Sequence, residues 1–505
     1  MRPRYIAYTI WITIALLGVV CAIVPESGWK IGTKTLQWPT LAEVLMIESD
    51  NSEILMDSTW LTMVDSTWLS VIDTTEIVSD TESVEKLTCL EDTTDAENSV
   101  LPKEKPIHIP HVILDEGIDA RMYLQAFYQA LDSVQEKTVR VVHYGDSQIE
   151  EDRMTSMLRE RWQHKYGGGG VGLIPLHQTI PTRSIRQWMS MDGHLQTTQG
   201  GPKRYLIYGP RTMRQESDDY GVMGQVAVMD NTVLQGSEDI RLTIEPFSNK
   251  HMAHNYFNRV RLLTDSVEGY CQVKGSEEQY ALLPNELIEI PDSTMQCKIH
   301  LKGSGRVYGL SLETAVGVIV DNIPMRGSSG SFFTKIDSAS LSDFYRETNT
   351  RLIILQFGGN MIPHTKNPST LNGYVKTLQN QVRYLRKCAP QAAILFVGPS
   401  DMSTRIDGKL TTYPLLPYLD KRLALMAQEE KIAYWSLYNA MGGFESMLTW
   451  HSRGLAGSDY VHFTRSGANI AGRMLGKWID EGKEIMGKAN DSKITEQVIN
   501  NDSVK

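Results

Sequence analysis

Side chains suited to nucleophilic catalysis occur in three short strings that lie far apart in the sequence. The strings are Gly145-Asp146-Ser147, Gly359-Asn360 and Asp459-Tyr460-Val461-His462. In chain order they supply a hydroxyl nucleophile, an amide that can donate to developing negative charge, and a carboxylate with an imidazole. Because a serine hydroxyl is a weak nucleophile at neutral pH, it needs a base such as a histidine oriented by a carboxylate. Together the strings favour acyl transfer through a serine.

The elements around Ser147 place it where a strand ends and a helix begins. Val139, Val141 and Val142 form a β-branched run before Gly145, and Ile149 to Tyr166 has helical spacing. Alone, Gly-Asp-Ser also fits a helix cap, and Asn360 also fits a turn. The carboxyl end of a strand is nevertheless where open α/β sheets bind their ligands, which favours the catalytic interpretation.

Strands and helices alternate over the rest of the α/β part. An amphipathic helix is expected over Ile118–Gln135. The strand-like runs are Gly317–Val320, Arg351–Phe357, Ala392–Val397 and Ile432–Trp435. The helical runs are Leu341–Thr348, Tyr374–Lys387, Leu416–Glu429 and Gly467–Lys483. This alternation predicts an α/β fold with a parallel sheet and helices on both faces.

A segment of different texture separates the first βα unit from the others. Its alternating runs are Gln225–Met229, Ile240–Ile244, Arg259–Leu263, Tyr280–Leu283, Leu287–Ile290 and Cys297–Leu301. Turn residues at short intervals predict an antiparallel sandwich, inserted over residues 169–315 into an α/β domain made of residues 116–168 and 316–490. Residues 491–505 are expected to be a polar tail. Cys271 and Cys297 either form a disulfide or remain two thiols in the sheet core.

The amino terminus predicts an exported protein. Tyr5 to Val24 is about 20 residues without a formal charge and follows Arg2 and Arg4, which favours a membrane anchor within residues 1–25 and an outward-facing remainder. A cleaved signal peptide is the alternative. Residues 26–115 are rich in Asp, Glu, Ser and Thr and are expected to be a spacer, in which Asp57–Leu61 recurs as Asp65–Leu69.

The net charge of −10, without a basic cluster, argues against a nucleic-acid partner.

Four sequence blocks resemble those of the SGNH/GDSL hydrolases. The blocks are His143–Gln148, Arg326–Gly330, Gly358–Asn360 and Asp459–His462, and they occur in the family's order. The resemblance implies a three-layer αβα SGNH fold, flavodoxin-like in its parallel sheet, that carries the inserted antiparallel β-sandwich.

The same resemblance implies a role for each residue of the site. Ser147 would be the nucleophile, His462 its base and Asp459 the residue that orients the base. Asn360 and the backbone N–H groups of Gly327 and Ser147 would form the oxyanion hole, with Gly330 as the alternative glycine. This mechanism uses no metal and no cofactor.

Three features resemble the branch of bacterial peptidoglycan O-acetylesterases. They are Gln148 in place of the family's Leu, the long insert, and the run Gly442–Trp450 before the Asp459 block. The resemblance implies an acylated glycan as substrate and an esterase that removes acetyl groups at the cell envelope, on the periplasmic or extracytoplasmic face. Two other functions stay open: an SGNH-type acyltransferase acting on glycans, and an anchored glycan-binding protein without catalysis.

Overall fold

The structure is a computed structural model that describes residues 29–31, 34–36, 117, 119–191, 194–195, 202–209, 213, 219–229, 240–247 and 252–502. The chain divides into two units, Met1–Ser99 and Val100–Lys505. In the first unit, β1 (Trp29–Ile31) pairs antiparallel with β2 (Lys34–Leu36). The predicted anchor, the tandem repeat and most of the predicted spacer lie outside the described residues. Among the residues that are described, no helix has the length and hydropathy of a membrane span.

A parallel sheet forms the centre of the second unit. In spatial order the described strands of this sheet are β16 (Gly317–Pro324), β3 (Thr138–Gly145), β17 (Thr350–Gln356), β18 (Ala393–Val397) and β21 (Ala433–Trp435). The first of them in sequence therefore lies between the second and the third. This is the 2-1-3-4-5 order of flavodoxin-like doubly wound sheets.

Helices cover both faces of this sheet. The helices are α1 (Gln125–Leu131), α2 (Thr155–Tyr166), α3 (Ser338–Glu347), α4 (Pro368–Cys388), α5 (Leu416–Glu430), α6 (Leu437–Met441), α7 (Ser446–Ser452) and α8 (Arg465–Asp502). Short 3₁₀ segments occur at Ala120–Leu124, Ser147–Asp152, Ala253–Asn255, Phe333–Lys335 and Gly359–His364. In addition, β19 (Ser403–Ile406) pairs with β20 (Lys409–Thr412) in a hairpin.

The two faces of the sheet have separate hydrophobic cores. Along β17, Leu352 and Ile354 pack into the core that includes α1, α2 and α8. Ile353 and Leu355 pack into the core that includes α3, α4 and α5. Because alternate residues of a strand point to opposite faces, a strand that is apolar at every position is buried on both sides. The result is the predicted three-layer αβα architecture.

The first predicted helix after Ser147 begins later than the sequence pattern indicated. Helix α2 begins at Thr155, and a 3₁₀ turn precedes it. Glu151 and Asp152 have φ angles of 60° and 65° and interrupt the helix. The Asp152 carboxylate accepts hydrogen bonds from Arg159 and Ser184, so tertiary contacts hold this kink in place. The last helix also differs, because α8 continues through the segment expected to be a polar tail.

The inserted segment, between α2 and β16, folds into two antiparallel sheets. One contains, in spatial order, β13 (Leu287–Thr294), β10 (Phe257–Thr264), β15 (Gly305–Glu313), β8 (Gln225–Met229) and β7 (Lys203–Leu206), with β4 (Gly172–Ile174) also paired to β15. The other contains β12 (Gln279–Leu282), β11 (Glu268–Val273), β14 (Cys297–Lys302), β9 (Ile240–Pro246), β5 (Ile185–Met191) and β6 (His194–Leu195). A shared core that includes Val260, Leu310, Leu242 and Ile299 lies between the sheets. The predicted inserted sandwich is confirmed.

Cys271 and Cys297 lie on the neighbouring strands β11 and β14 of this sandwich, and both are buried free thiols. The hydrogen bond with Cys271 and burial together raise the pKa of the Cys297 thiol well above its ordinary value. Of the two alternatives left open by the sequence, the structure contains the thiols.

A buried ionic cluster joins the sandwich to the α/β domain. Arg140 of β3 donates to both carboxylate oxygens of Asp321 in β16, at 2.7 and 2.9 Å, and its other terminal nitrogen donates to Ser311 and Glu313 of β15. The Asp321 carboxylate also accepts from the backbone N–H of Leu173 in β4. Because the Arg140 and Asp321 side chains are 1% and 0% exposed, loss of Arg140 would leave the buried Asp321 carboxylate without a compensating cation.

We expect Arg140→Met to lower the free energy of unfolding by about 3–5 kcal/mol, since it leaves two buried carboxylates without their cation. Arg346→Gln is the control, because Arg346 forms an exposed ion pair with Asp343, and such pairs contribute about 0–1 kcal/mol. Urea unfolding followed by tryptophan fluorescence measures both variants. Equal effects of the two substitutions would contradict the structural role of Arg140.

Candidate active site

Three strands of the parallel sheet end in one row of paired residues. Gly145 at the end of β3 is paired with Pro324 of β16 on one side and with Gln356 of β17 on the other. Parallel strands that end in one row bring the residues after them to one edge of the sheet. The predicted site residues within four positions of this row are Ser147, Gly327 and Asn360.

Ser147 begins the 3₁₀ turn that follows β3. Asp146, the residue before it, is the N-cap, and its Oδ1 accepts from the backbone N–H of Gln148 at 3.0 Å. Asp146 still has an extended backbone, with φ −85° and ψ −150°, and the chain turns out of the strand from Ser147 onward. The Ser147 hydroxyl is therefore presented at the sheet edge by a capped turn.

His462 and Asp459 reach this hydroxyl from the loop between α7 and α8. The Ser147 Oγ lies 2.9 Å from His462 Nε2, and His462 Nδ1 lies 2.7 Å from Asp459 Oδ2. The three predicted catalytic side chains thus form one continuous chain of hydrogen bonds. With Nδ1 as the donor to the carboxylate, Nε2 has a lone pair directed at the serine hydroxyl.

The turn that contains Asp459 fixes the orientation of this carboxylate. Its Oδ1 accepts from the backbone N–H groups of Val461 and His462, at 3.0 and 3.1 Å. Tyr460, which lies between Asp459 and Val461, has a φ of 55°. Partial burial alone would raise the pKa of Asp459, but the hydrogen bonds from the His462 ring and from these two N–H groups hold it below its ordinary value. Asp459 is therefore ionised at neutral pH and holds the His462 ring in one tautomer.

The candidate oxyanion donors differ in how they are already bonded. Asn360 Nδ2 donates to the Ser328 carbonyl at 3.0 Å and to Asp146 Oδ2 at 3.2 Å, so one of its two N–H groups must exchange its acceptor to bind an oxyanion. The backbone N–H of Gly330 donates to Ser328 Oγ at 3.1 Å. No acceptor for the backbone N–H of Gly327 occurs within the described part of the chain. This difference favours Gly327 over Gly330 as the oxyanion glycine.

Asp146 is a buried carboxyl group directly beside the nucleophile. Burial raises the pKa of Asp146 to about 6, although the Gln148 backbone N–H and the nearby His462 act in the opposite direction. Its Oδ2 accepts from the Asn360 amide. Asp146 thereby connects the turn that carries Ser147 to the residue expected to bind the oxyanion.

The role of Gln148 is visible only in the structure. Its Nε2 donates to the backbone carbonyl of Val461 at 2.7 Å and to Ser400 Oγ at 3.2 Å. Gln148 therefore ties the nucleophile turn to the loop that carries His462. A leucine at this position would leave that carbonyl without this donor. The only signal in the sequence was the departure from the family's residue type.

The histidines near Ser147 in sequence have other surroundings. His143 is fully buried, with ring nitrogens 3.1 Å from Gln356 Oε1 and 3.0 Å from Thr155 Oγ1, and burial lowers its pKa to about 4. Over the ranges that the structure describes, no group of three or more His, Cys, Asp or Glu side chains is arranged to hold a metal ion.

Comparisons with known proteins identify the fold. No family model matches the sequence, and no curated protein does. A solved structure of a peptidoglycan O-acetylesterase is similar over 72% of this chain and 96% of its own, with a TM-score of 0.56 and 21% identity. An acetyl xylan esterase matches 32% of this chain and 80% of its own, with a TM-score of 0.25 and 14% identity. A family two carbohydrate esterase from Cellvibrio japonicus matches 59% of this chain and 99% of its own, with a TM-score of 0.25 and 10% identity.

The first of these structures carries the conclusion. At 21% identity this is a likeness of fold, and it agrees with the three-layer αβα fold with an inserted β-sandwich that the resemblance to the SGNH/GDSL hydrolases predicted.

The raised pKa of Asp146 predicts a pH-dependent stability. A carboxyl group whose pKa is higher in the folded chain stabilises the fold below its ordinary pKa near 3.8, and this stabilisation is lost as the pH rises through about 6. Relative to Asp146→Asn, the wild type should therefore lose roughly 2.5 kcal/mol of unfolding free energy between pH 4 and pH 7. Urea unfolding at constant ionic strength measures this difference. A difference that is constant across the range would contradict the assignment.

Proposed function

We propose that the protein is a serine esterase that hydrolyses small acyl esters, most simply acetyl esters, on glycans. One observation carries this proposal: the uninterrupted hydrogen-bond chain from Ser147 Oγ through His462 to Asp459 at the edge of the parallel sheet. Without a base the hydroxyl would be unreactive, and without the carboxylate the imidazole would be free to take the wrong orientation.

In the proposed reaction, Ser147 Oγ attacks the ester carbonyl while His462 Nε2 takes the hydroxyl proton. The oxyanion that forms is stabilised by the Ser147 and Gly327 backbone N–H groups and by the Asn360 amide. Collapse of this intermediate breaks the ester C–O bond, and His462 gives its proton to the departing sugar oxygen. Water then attacks the acyl-enzyme with His462 as base, and the carboxylic acid leaves.

The exposure of the base favours hydrolysis over transfer to a second sugar. The His462 side chain is 39% exposed, and that of Asp459 is 51% exposed. An acyltransferase must keep water from its acyl-enzyme, whereas an esterase needs water at the imidazole. An open histidine therefore supports water as the acceptor.

The proposal of a glycan substrate rests on two supports. The inserted sandwich adjoins the domain that carries Ser147 and lines a cavity together with Glu150 of the nucleophile turn. The solved peptidoglycan O-acetylesterase is similar in fold over 72% of this chain. We propose that the uncharged run Tyr5–Val24 anchors the protein to a membrane, with the site on the outer side of that membrane in the cell envelope.

Ser147→Ala should reduce acetate release from O-acetylated peptidoglycan and from acetylated xylan by roughly 10⁴- to 10⁶-fold, because the attacking oxygen is removed. Ser452→Ala is the matched control, since Ser452 lies exposed at the end of α7 and should leave the rate unchanged. Acetate is measured enzymatically, and added sugar acceptors are examined for acetylation. Equal release by wild type and Ser147→Ala would reject Ser147 as the nucleophile. Acetylated acceptor without free acetate would identify a transferase.

Asn360→Ala should reduce kcat by about 10²- to 10³-fold and change KM little, because the amide is expected to bind the oxyanion more tightly than the ground-state carbonyl. Asn380→Ala removes an amide from an exposed position of α4 and serves as the control. Steady-state kinetics with 4-nitrophenyl acetate separates the two parameters. A change confined to KM would contradict the role of Asn360 in the oxyanion hole.

A further inference from the structure

A second and larger cavity lies beside the site, between the turn that follows Ser147 and the inserted sandwich. The cavity around Ser147 has a volume of about 110 Å³, and the neighbouring one has a volume of about 440 Å³. Glu150 and Arg326 line the larger cavity where it faces the α/β domain, while His177 and Arg204 of the insert line it from the other side. Nothing in the proposed reaction uses these insert residues.

The charged groups around this cavity are paired, with one exception. Each acidic side chain lies within ion-pair distance of its own arginine: Glu150 with Arg326 at 3.8 Å, Glu151 with Arg153 at 3.0 Å, and Asp152 with Arg159. Arg204 differs, because its hydrogen-bond partners within the described residues are the neutral groups Gln225 and Thr179. Arg204 is therefore the one arginine lining this cavity that has no acidic partner among the described residues.

Gln225 holds the Arg204 guanidinium in a defined orientation. The Gln225 Oε1 accepts from Arg204 Nε at 2.9 Å and from Nη2 at 2.7 Å, across the antiparallel pair β7 and β8. A neutral acceptor orients the guanidinium without cancelling its charge, and the remaining N–H groups form a fork that suits a carboxylate. Burial and the Arg204 charge together lower the pKa of the neighbouring His177, so this histidine is neutral and does not add a second cation.

We propose that this cavity binds a carboxylate-bearing arm of the glycan, with Arg204 as the residue that recognises the carboxylate. The inference rests on the proposed function, because it places an acidic sugar beside the ester that Ser147 attacks. Glu150 lines the cavity and follows Ser147 by three residues, which limits the backbone between them to about 10 Å. A neighbouring sugar spans the distance from Ser147 to the Glu150 end of this cavity, and Arg204 lines the same cavity.

Two sources of carboxylate fit this chemistry: an acidic arm attached to the sugar, as in muramic acid, and a carboxyl group on the sugar ring, as in a uronic acid. The kinetic test compares O-acetylated muramyl disaccharide with its methylamide, and O-acetylated oligogalacturonide with its carboxyl-reduced form. The ratio of kcat/KM between acidic and neutral partners is measured for wild type, Arg204→Gln, Arg204→Lys and Arg346→Gln.

In one of the two substrate pairs, the kcat/KM of wild type should be about 10- to 100-fold higher for the acidic substrate than for its neutral counterpart. This is the range expected for a hydrogen bond to a charged group. Arg204→Gln should abolish this preference, and Arg204→Lys should retain part of it, because lysine keeps the charge and loses the fork. Arg346→Gln should behave as wild type. The source that shows the preference identifies the substrate class. Absence of any acidic preference in wild type, or its full retention in Arg204→Gln, would overturn the proposal.

Binding of the unacetylated muramyl disaccharide and of unacetylated oligogalacturonide, measured by calorimetry, separates this inference from the proposed function. Wild type should bind one of them at least about tenfold more tightly than Arg204→Gln does. Such a loss in a protein without esterase activity would reject the esterase and support the carboxylate site. If the protein hydrolyses 4-nitrophenyl acetate but wild type and Arg204→Gln bind the unacetylated glycans equally well, the esterase is supported and the carboxylate site is rejected.

Discussion

The pairing of Gly145 with both Pro324 and Gln356 is the constraint on which the site depends. Side chains alternate along a strand, so a slip of one residue in either ladder would turn the residues beyond it to the other face. With the observed register, the nucleophile and the oxyanion donors follow a common row and need only short turns to meet. Asp459 and His462, which complete the site, come from one turn before α8 and are close enough in sequence to be positioned together.

The insert is compatible with this register because it is attached to the same strands. It separates β3 from β16 in sequence, yet those strands pair along their whole length. Arg140 and Arg159, both buried, bond the two strands and the nucleophile turn to residues of the insert. The sandwich is thereby held at a fixed distance from Ser147. A fixed distance is what allows a group on the sandwich, such as Arg204, to contribute to the recognition of a substrate.

Local signals explain what the sequence predicted well. Buried strands, helical spacing and the short separation within Asp459–His462 are properties of contiguous residues, so the parallel sheet, the sandwich and the grouping of the site followed from them. The remaining features depend on contacts between distant segments. The kink before α2 is held by Ser184 of the insert, and the choice between Gly327 and Gly330 depends on which N–H group the Ser328 hydroxyl engages. Neither contact leaves a periodic pattern in the sequence.

Covalent labelling by a fluorophosphonate tests most directly whether Ser147 is a nucleophile activated by His462. The reagent reacts with a serine oxygen only where a base and an oxyanion site act on it, so it reports the activated serine without any assumption about the glycan. We predict one adduct, located by mass spectrometry in the peptide that contains Ser147, and a labelling rate that falls by several orders of magnitude in His462→Ala. Labelling at another serine, or an unchanged rate in the folded His462→Ala variant, would contradict the account.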